Sequence, residues 1–385
     1  MGNANKKKKK PTGKRPVSAE GTTNTNTNPN SNTNTNTNNK KTETKPEQPD
    51  IVLTVGKNEC SKLTLKLINQ YYHSSNSDAI EEAFIYPNFE NSVVIACRSG
   101  SIKVVEDILS SKNQNNFSNI RKLYDSTNRI YSCILLKQNQ NRLCLGLEDK
   151  ITILELNDKQ TSLNEKRSIT CQNEGPIFTL LELENGNIVS AGKNIILWKK
   201  DKDDYSKTSD VIPLENSRVI NLVEFPLFNT IIATQENTHK IFLLKNEENS
   251  IKLLKQKENV PSIWYKGSAQ YSSKNCMLLI GKFELNAIDA FNGEVCSRYP
   301  GMDRGTLLNL TQKYKENDFW VVSDFMGNYL EFYDQDGNDF IYFDKWEFGD
   351  KEKIGWGNRL IRINDEVFIA INRYGKISVF QIQKL

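Results

Sequence analysis

Asn187-Ile188-Val189-Ser190-Ala191-Gly192-Lys193-Asn194-Ile195-Ile196-Leu197-Trp198-Lys199 reads as two short apolar strands joined by a tight polar turn. The pattern recurs at 93–97 before 102–105, 143–147 before 151–154, 231–234 before 241–244, 277–281 before 285–288, 320–323 before 330–333 and 367–371 before 377–380. Anchored on the first residue of each second strand, the copies begin at 102, 151, 195, 241, 285, 330 and 377, at intervals of 49, 44, 46, 44, 45 and 47 residues. A unit of about 40–45 residues that holds several short strands is the period of a β-propeller. The spacing predicts an all-β, seven-bladed β-propeller.

The outer strands follow from the turns. Asn292-Gly293 and Asp336-Gly337 supply the positive φ of a tight hairpin, which sets outer strands at 294–298 and 340–343. The chain ends at Leu385, just after the second strand of the seventh copy, so that blade needs a strand from elsewhere. Leu63-Thr64-Leu65-Lys66-Leu67 alternates correctly and is expected to close the ring, with 51–55 as the rival for that place. The chain therefore divides at residue 50: residues 1–50 form a tail, and 51–385 form a propeller closed by an N-terminal strand.

The quoted stretch as a whole resembles a WD-repeat unit. The Trp position of that motif is filled by Val105, Leu154, Trp198, Leu244, Ile288, Tyr333 and Phe380 through the seven copies. The Asp position after it reads Glu106, Glu155, Lys199, Lys245, Asp289, Asp334 and Gln381. The resemblance covers roughly residues 60–385 as a pattern and implies a propeller that binds other proteins. One copy keeps the Trp, none keeps the Trp-Asp pair, and the Gly-His dipeptide is missing. The family's buried His-Asp-Ser-Trp hydrogen-bond network is therefore not expected here.

Charge and cysteine content narrow the function. Residues 1–50 hold ten Lys or Arg against four acidic residues, a net of +6, while the remainder holds 41 basic and 43 acidic residues, a net of −2. A near-neutral body is not a basic domain built to grip a phosphate backbone. No run approaches the ~18 consecutive apolar residues of a membrane span, and the basic N-terminus has no apolar segment after it to make a secretory signal. Seven cysteines without tight spacing fit thiols in a reducing compartment, used as small apolar packing residues. With only His73 and His239, a His-rich or Cys/His metal centre is not expected.

Each motif with the look of chemistry has a plainer explanation. Residues 186–193 resemble a phosphate-binding loop, but one residue too many separates the glycines. Asn194 also stands where a magnesium-binding Ser or Thr belongs. Asp334-Gln335-Asp336-Gly337-Asn338-Asp339 resembles part of a calcium loop without its closing Glu, and a hairpin turn explains it. There is no Gly-x-Ser-x-Gly, and two His leave few bases for a Ser-His-Asp arrangement. Neither an enzyme nor a cofactor is expected.

Surface recognition remains. In a propeller, the turns between the second and third strands of each blade share one rim with the connections between blades. Arg98, Glu148, Asp149, His239, Phe325, Arg373 and Tyr374 fall on or near those turns. The connections 298–306 and 346–359 add Tyr299, Met302, Arg304, Trp346, Phe348 and Trp356. Aromatic and Arg residues on loops are the types that dominate binding hot spots. From these, Arg98, Arg304, Phe325, Trp346, Trp356, Arg373 and Tyr374 are the expected protein-binding residues; the competing reading of Trp346 and Trp356 is a plug between blades six and seven.

The tail carries a separate signal. Residues 21–39 are almost wholly Asn and Thr, with too little apolar surface to offset ordering, so the tail is expected to be disordered. Gly2 is an attachment point for myristate, although Lys6 replaces the usual Ser or Thr. Lys6, Lys7, Lys8, Lys9 and Lys10 supply the second signal, at about 1 kcal/mol each, that a single acyl chain needs at an anionic membrane surface. The same lysines with Lys14-Arg15 also fit a nuclear address or a contact to nucleic acid, and a solubilising tail is the third reading. The expectation is a cytoplasmic scaffold tethered to a membrane through its N-terminus; the alternative is a nuclear or ribosome-assembly factor.

Overall fold

The computed structural model describes residues 51–53, 63–72, 78–110, 120–171, 175–214, 218–258, 260, 269–271, 276–280, 284–300, 304–309, 318–324, 326–336, 339–348, 353–355, 359–364 and 366–384. The chain falls into two units, Met1–Gln48 and Pro49–Leu385, and the first lies outside the described residues. So do Gly2 and the lysines from Lys6 to Lys10.

Two strands, β1 (Ile51–Leu53) and β2 (Leu63–Tyr72), precede a run of antiparallel sheets. The first sheet is β3 (Ile80–Ile85), β4 (Val93–Cys97), β5 (Ile102–Val105) and β6 (Ile120–Tyr124). The second is β7 (Ser132–Leu135), β8 (Arg142–Gly146), β9 (Lys150–Leu156) and β10 (Leu163–Thr170). The third is β11 (Thr179–Glu182), β12 (Ile188–Ala191), β13 (Asn194–Asp201) and β14 (Asp204–Pro213). The fourth is β15 (Val219–Phe225), β16 (Thr230–Gln235), β17 (Ile241–Glu247) and β18 (Ser250–Lys257).

The fifth is β19 (Ala269–Tyr271), β20 (Cys276–Ile280), β21 (Glu284–Asp289) and β22 (Val295–Pro300). The sixth is β23 (Arg304–Asn309), β24 (Asp318–Asp324), β25 (Tyr329–Asp336) and β26 (Asp339–Glu347). The seventh is β27 (Arg359–Arg362), β28 (Val367–Ile371) and β29 (Lys376–Lys384), and takes β2 and then β1 onto its outer side. The first strand of each sheet packs on the first strand of the next, and β27 packs back on β3. The sheets form the closed ring of a β-propeller.

The strand sequences explain the packing. β4, β8, β12 and β28 are buried along their whole length, so both faces of these second strands carry apolar or small side chains, except at Arg142, which is buried in an ion pair with Glu155. The cores lie between neighbouring sheets: Val94 and Val104 of the first meet Leu143 and Leu154 of the second, for instance. Cys97, Cys133, Cys144 and Cys171 are thiols buried in these cores, and burial pushes the Cys97 thiol up to about 12. Cys296 is exposed.

In all seven sheets the register between the third and outer strands shifts by a β-bulge, whereas the pairing between second and third strands is regular. A bulge bends and twists its strand. The outer edge of every blade is thus turned relative to its core.

At the closing seam, β2 lies beside β29, with Leu63 opposite Lys384 and Tyr72 opposite Lys376. β1 extends the sheet beyond β2. β2 also reaches the first sheet: the buried Asn69 amide donates to Ile108 O (3.0 Å) and Ser110 O (2.8 Å), and Tyr71 donates to Ile108 O (3.1 Å). An ion pair between Arg359 of β27 and Glu82 of β3 joins the same two sheets.

Two departures from the sequence reading concern single residues. Trp346 belongs to β26 and not to a connection; it is 5% exposed and sits among Leu330, Phe348, Phe368 and Phe380, between the sixth and seventh sheets. Its ring is 5.3 Å from that of Phe380, edge to face. The expected rim contact is thus corrected to a core residue: β26 runs on past 343, and Leu330 pairs with Trp346. Phe348 is buried beside it. Second, the Trp198 indole donates to the Ser190 hydroxyl at 2.8 Å with both residues buried, so the Trp-Ser half of the expected-absent network is present.

Candidate functional site: the rim

The turns between second and third strands are alike in the first, sixth and seventh sheets: Cys97-Arg98-Ser99-Gly100, Asp324-Phe325-Met326-Gly327 and Asn372-Arg373-Tyr374-Gly375. In each, the glycine N–H donates to the carbonyl of the first residue, at 3.0, 3.1 and 3.2 Å, with the glycine at φ +106°, +69° and +98°. The third residue of each turn, Ser99, Met326 and Tyr374, is exposed. At Gly327 the requirement is also one of space, since an added Cβ would lie 2.8 Å from Gly355 O in the connection to the seventh sheet.

Side chains at the first position hold the turns. Asp324, 4% exposed, accepts from the Asn328 backbone, from Tyr329 N at 3.0 Å and from the Asn328 amide at 2.9 Å. Burial pushes its carboxyl above the ordinary range, and these donors pull part of that back. Asn372 plays the same part in the seventh sheet, accepting from Lys376 N at 2.8 Å.

Two expected residues come together here. Arg98 and Arg373, from the first and seventh sheets, both pair with Glu81 of β3, the latter at 3.3 Å. The backbone joins across the same seam where Ile80 N donates to Arg373 O at 3.0 Å, and within the first sheet Arg98 N donates to Ala79 O at 2.8 Å. Tyr374 and Met326 stand beyond them, 57% and 52% exposed. Arg304 opens β23 opposite Asp324. Phe325 and Trp356 lie outside the described residues, as does the Arg304 side chain.

A second rim cluster was not expected from the sequence. Tyr131, Phe178 and Arg218 each immediately precede the innermost strand of the second, third and fourth sheets. The Tyr131 and Phe178 rings meet edge to face at 5.5 Å, and the Arg218 guanidinium lies over Phe178 at 4.4 Å. Arg218 donates two hydrogen bonds to the Glu236 carboxylate, and Tyr131 donates to Glu148 at 2.5 Å. The ladder borders a recess of about 1010 Å³ whose lining includes Phe178, Lys193, Arg218, Glu236 and Lys240. The usable signal was positional, because these residues occupy the same place in three successive units.

Among the described residues no group of three or more His, Cys, Asp and Glu could hold a metal ion. His239 is exposed in its turn, with Nδ1 2.7 Å from Val260 O. The 186–193 segment is a strand flanked by turns with another strand after it. Asp336 pairs with Asp339 across a hairpin at the calcium-like sequence.

No protein-family model matches the sequence, and no curated protein matches it. Solved structures do resemble the fold. A chain in the crystal structure of the mitotic checkpoint complex superposes with a TM-score of 0.57 at 10% identity, covering 80% of this chain and 92% of that one. Raptor from Chaetomium thermophilum gives 0.59 at 16% identity, covering 83% of this chain and 29% of its own. At these identities the likeness is one of fold alone, in keeping with the ring of antiparallel sheets described above.

Proposed function

We propose that the chain is a non-catalytic protein-interaction scaffold that docks partners on the rim over its sixth, seventh and first sheets. The observation that carries this reading is the convergence of Arg98 and Arg373 on Glu81, with Tyr374 exposed on the same turn as Arg373. Arginine and tyrosine held on fixed turns lose little freedom on binding, and these are hot-spot residue types. Phe325, Trp356 and Arg304 extend the docking surface.

The test is affinity purification of the full chain beside an Arg373→Ala/Tyr374→Ala variant, read by mass spectrometry. Partners lost from the variant, with the thermal midpoint unchanged, support the reading. The same partners recovered in the same amounts overturn it.

For location we propose the cytoplasm, supported by cysteines used as buried apolar packing, with a membrane tether at Gly2 and Lys6–Lys10. Intact mass of the chain from eukaryotic cells tests the tether, with myristate on Gly2 expected. Gly2→Ala should then release the chain from membranes, as should replacing the five lysines with Gln. An unmodified N-terminus, with nuclear loss only in the Gln variant, would favour the nuclear alternative.

A further inference from the structure

The end of the ring opposite the rim carries the two most exposed large apolar side chains among the described residues, Leu227 at 74% and Phe291 at 69%. They come from different sheets. Leu227 lies in the Pro226–Phe228 turn between the first two strands of the fourth sheet, and Phe291 lies in the turn between the last two strands of the fifth. The Phe228 and Phe291 rings meet edge to face at 5.9 Å, and the Thr230 hydroxyl donates to Ala290 O at 3.2 Å between the same turns.

Both turns are pinned. The Asp289 carboxylate accepts from Phe291 N at 2.8 Å and Asn292 N at 2.9 Å, and its carbonyl accepts from Gly293 N at 2.8 Å. Asn229, left-handed at φ +48°, closes the other turn by donating to Pro226 O, while Lys245 donates to Phe228 O at 3.0 Å. Backbones held in this way present the Leu227 and Phe291 side chains to solvent. A fixed apolar pair of that kind is an anchor for something that covers it.

The surroundings choose the occupant. Pro226 and Asn229, on either side of Leu227 and Phe228, also line a recess of about 460 Å³ whose ionisable lining is Glu184, Glu224, Glu247, Glu248 and Lys245. Lys252 beside Glu247 holds that carboxyl below its ordinary range, so it is ionised. We propose that this face docks a protein segment that places apolar side chains on Leu227 and Phe291 and Lys or Arg side chains into the acidic recess. The surface is separate from the rim, so it stands or falls without the rim reading.

The test uses the full chain and two short fluorescent peptides, one of Leu, Phe and Lys, the other with every Lys replaced by Glu. The Lys peptide should bind, the Glu peptide should not, and added salt should weaken binding. Leu227→Ser with Phe291→Ser should cost roughly tenfold in affinity, and Glu184→Gln with Glu248→Gln should flatten the salt dependence. Leu227→Lys, at a site too exposed to matter for folding, should weaken the Lys peptide on its own. Equal binding of the two peptides, or binding indifferent to these variants, overturns the proposal. So does wild-type self-association by sedimentation that the Ser variant abolishes, which would assign the patch to a second copy. Vesicle binding lost in the same variant would assign it to lipid and overturn it equally.

Discussion

Over the sixth, seventh and first sheets the rim is made of turns, three copies of a Gly-closed loop whose third residue is exposed. Over the second, third and fourth it is made of single residues, Tyr131, Phe178 and Arg218, each placed just before an innermost strand. The first cluster depends on ring closure, because Arg98 and Arg373 meet at Glu81 only when the seventh sheet lies against the first. The second is assembled from consecutive sheets and stacks ring on ring on guanidinium. One cluster reports whether the ring is shut; the other reports only local packing.

The sharpest way to separate them is to remove β2. Deleting residues 1–72 strips the seventh sheet of its fourth strand and of the Asn69 and Tyr71 bonds to the first sheet. Cooperative melting should be lost or its midpoint should fall by many degrees, whereas deleting residues 1–48 should leave it unchanged. Equal midpoints for the two truncations would show that β2 does not close the ring.

Next in size is Gly327→Ala. The side chain would meet Gly355 and Ile354 while the backbone stays at positive φ, for a cost of about 2–4 kcal/mol. Gly175→Ala, on the side of the ladder, also sits at positive φ but would meet only the Lys193 side chain at 3.7 Å, so about 1 kcal/mol is expected. Chemical denaturation of both variants measures the contrast.

Asp324→Asn should do less. The folded carboxyl is raised, so its contribution to stability is greatest below the ordinary carboxylate range and is lost as pH rises through the folded value. The asparagine, which the seventh sheet already uses as Asn372, should match or exceed wild type at pH 7 by up to about 1 kcal/mol. Its advantage should fade as the pH falls toward 4. Thermal midpoints across that range decide it; a large loss at pH 7 would mean that the charged form is needed to hold the turn.

The smallest effect on stability belongs to Arg218→Ala. Its side chain is 43% exposed, and a half-exposed pair with a cation–π contact is worth about 1 kcal/mol or less. Partner retention should fall more than the midpoint if the ladder is also used for docking.

How much of this was legible follows from what sets each feature. The strands from Ile102 through Lys376 begin within one residue of the seven anchors, because apolar alternation and polar turns are local properties. Arg98, Arg373 and Tyr374 could be assigned to turns for the same reason, because the turns are recognisable in the sequence.

Trp346 was misplaced because of a bulge. The register shift between Phe332 and Tyr333 inverts the faces of β26, so Tyr342 is exposed and Trp346 buried although four residues separate them. No residue type announces that inversion. The Phe178–Arg218 stack escaped because its partners come from different sheets, and the Leu227–Phe291 pair escaped for the same reason.

On the reading proposed above, partners dock on the rim over the closing seam. Hydrogen–deuterium exchange on the full chain, free and bound to a purified partner, tests it directly. Protection is predicted in the turns at 97–101 and 372–376, with the turns at the opposite end unchanged. Protection confined to the opposite end, with those two turns exchanging as in the free chain, would contradict the account.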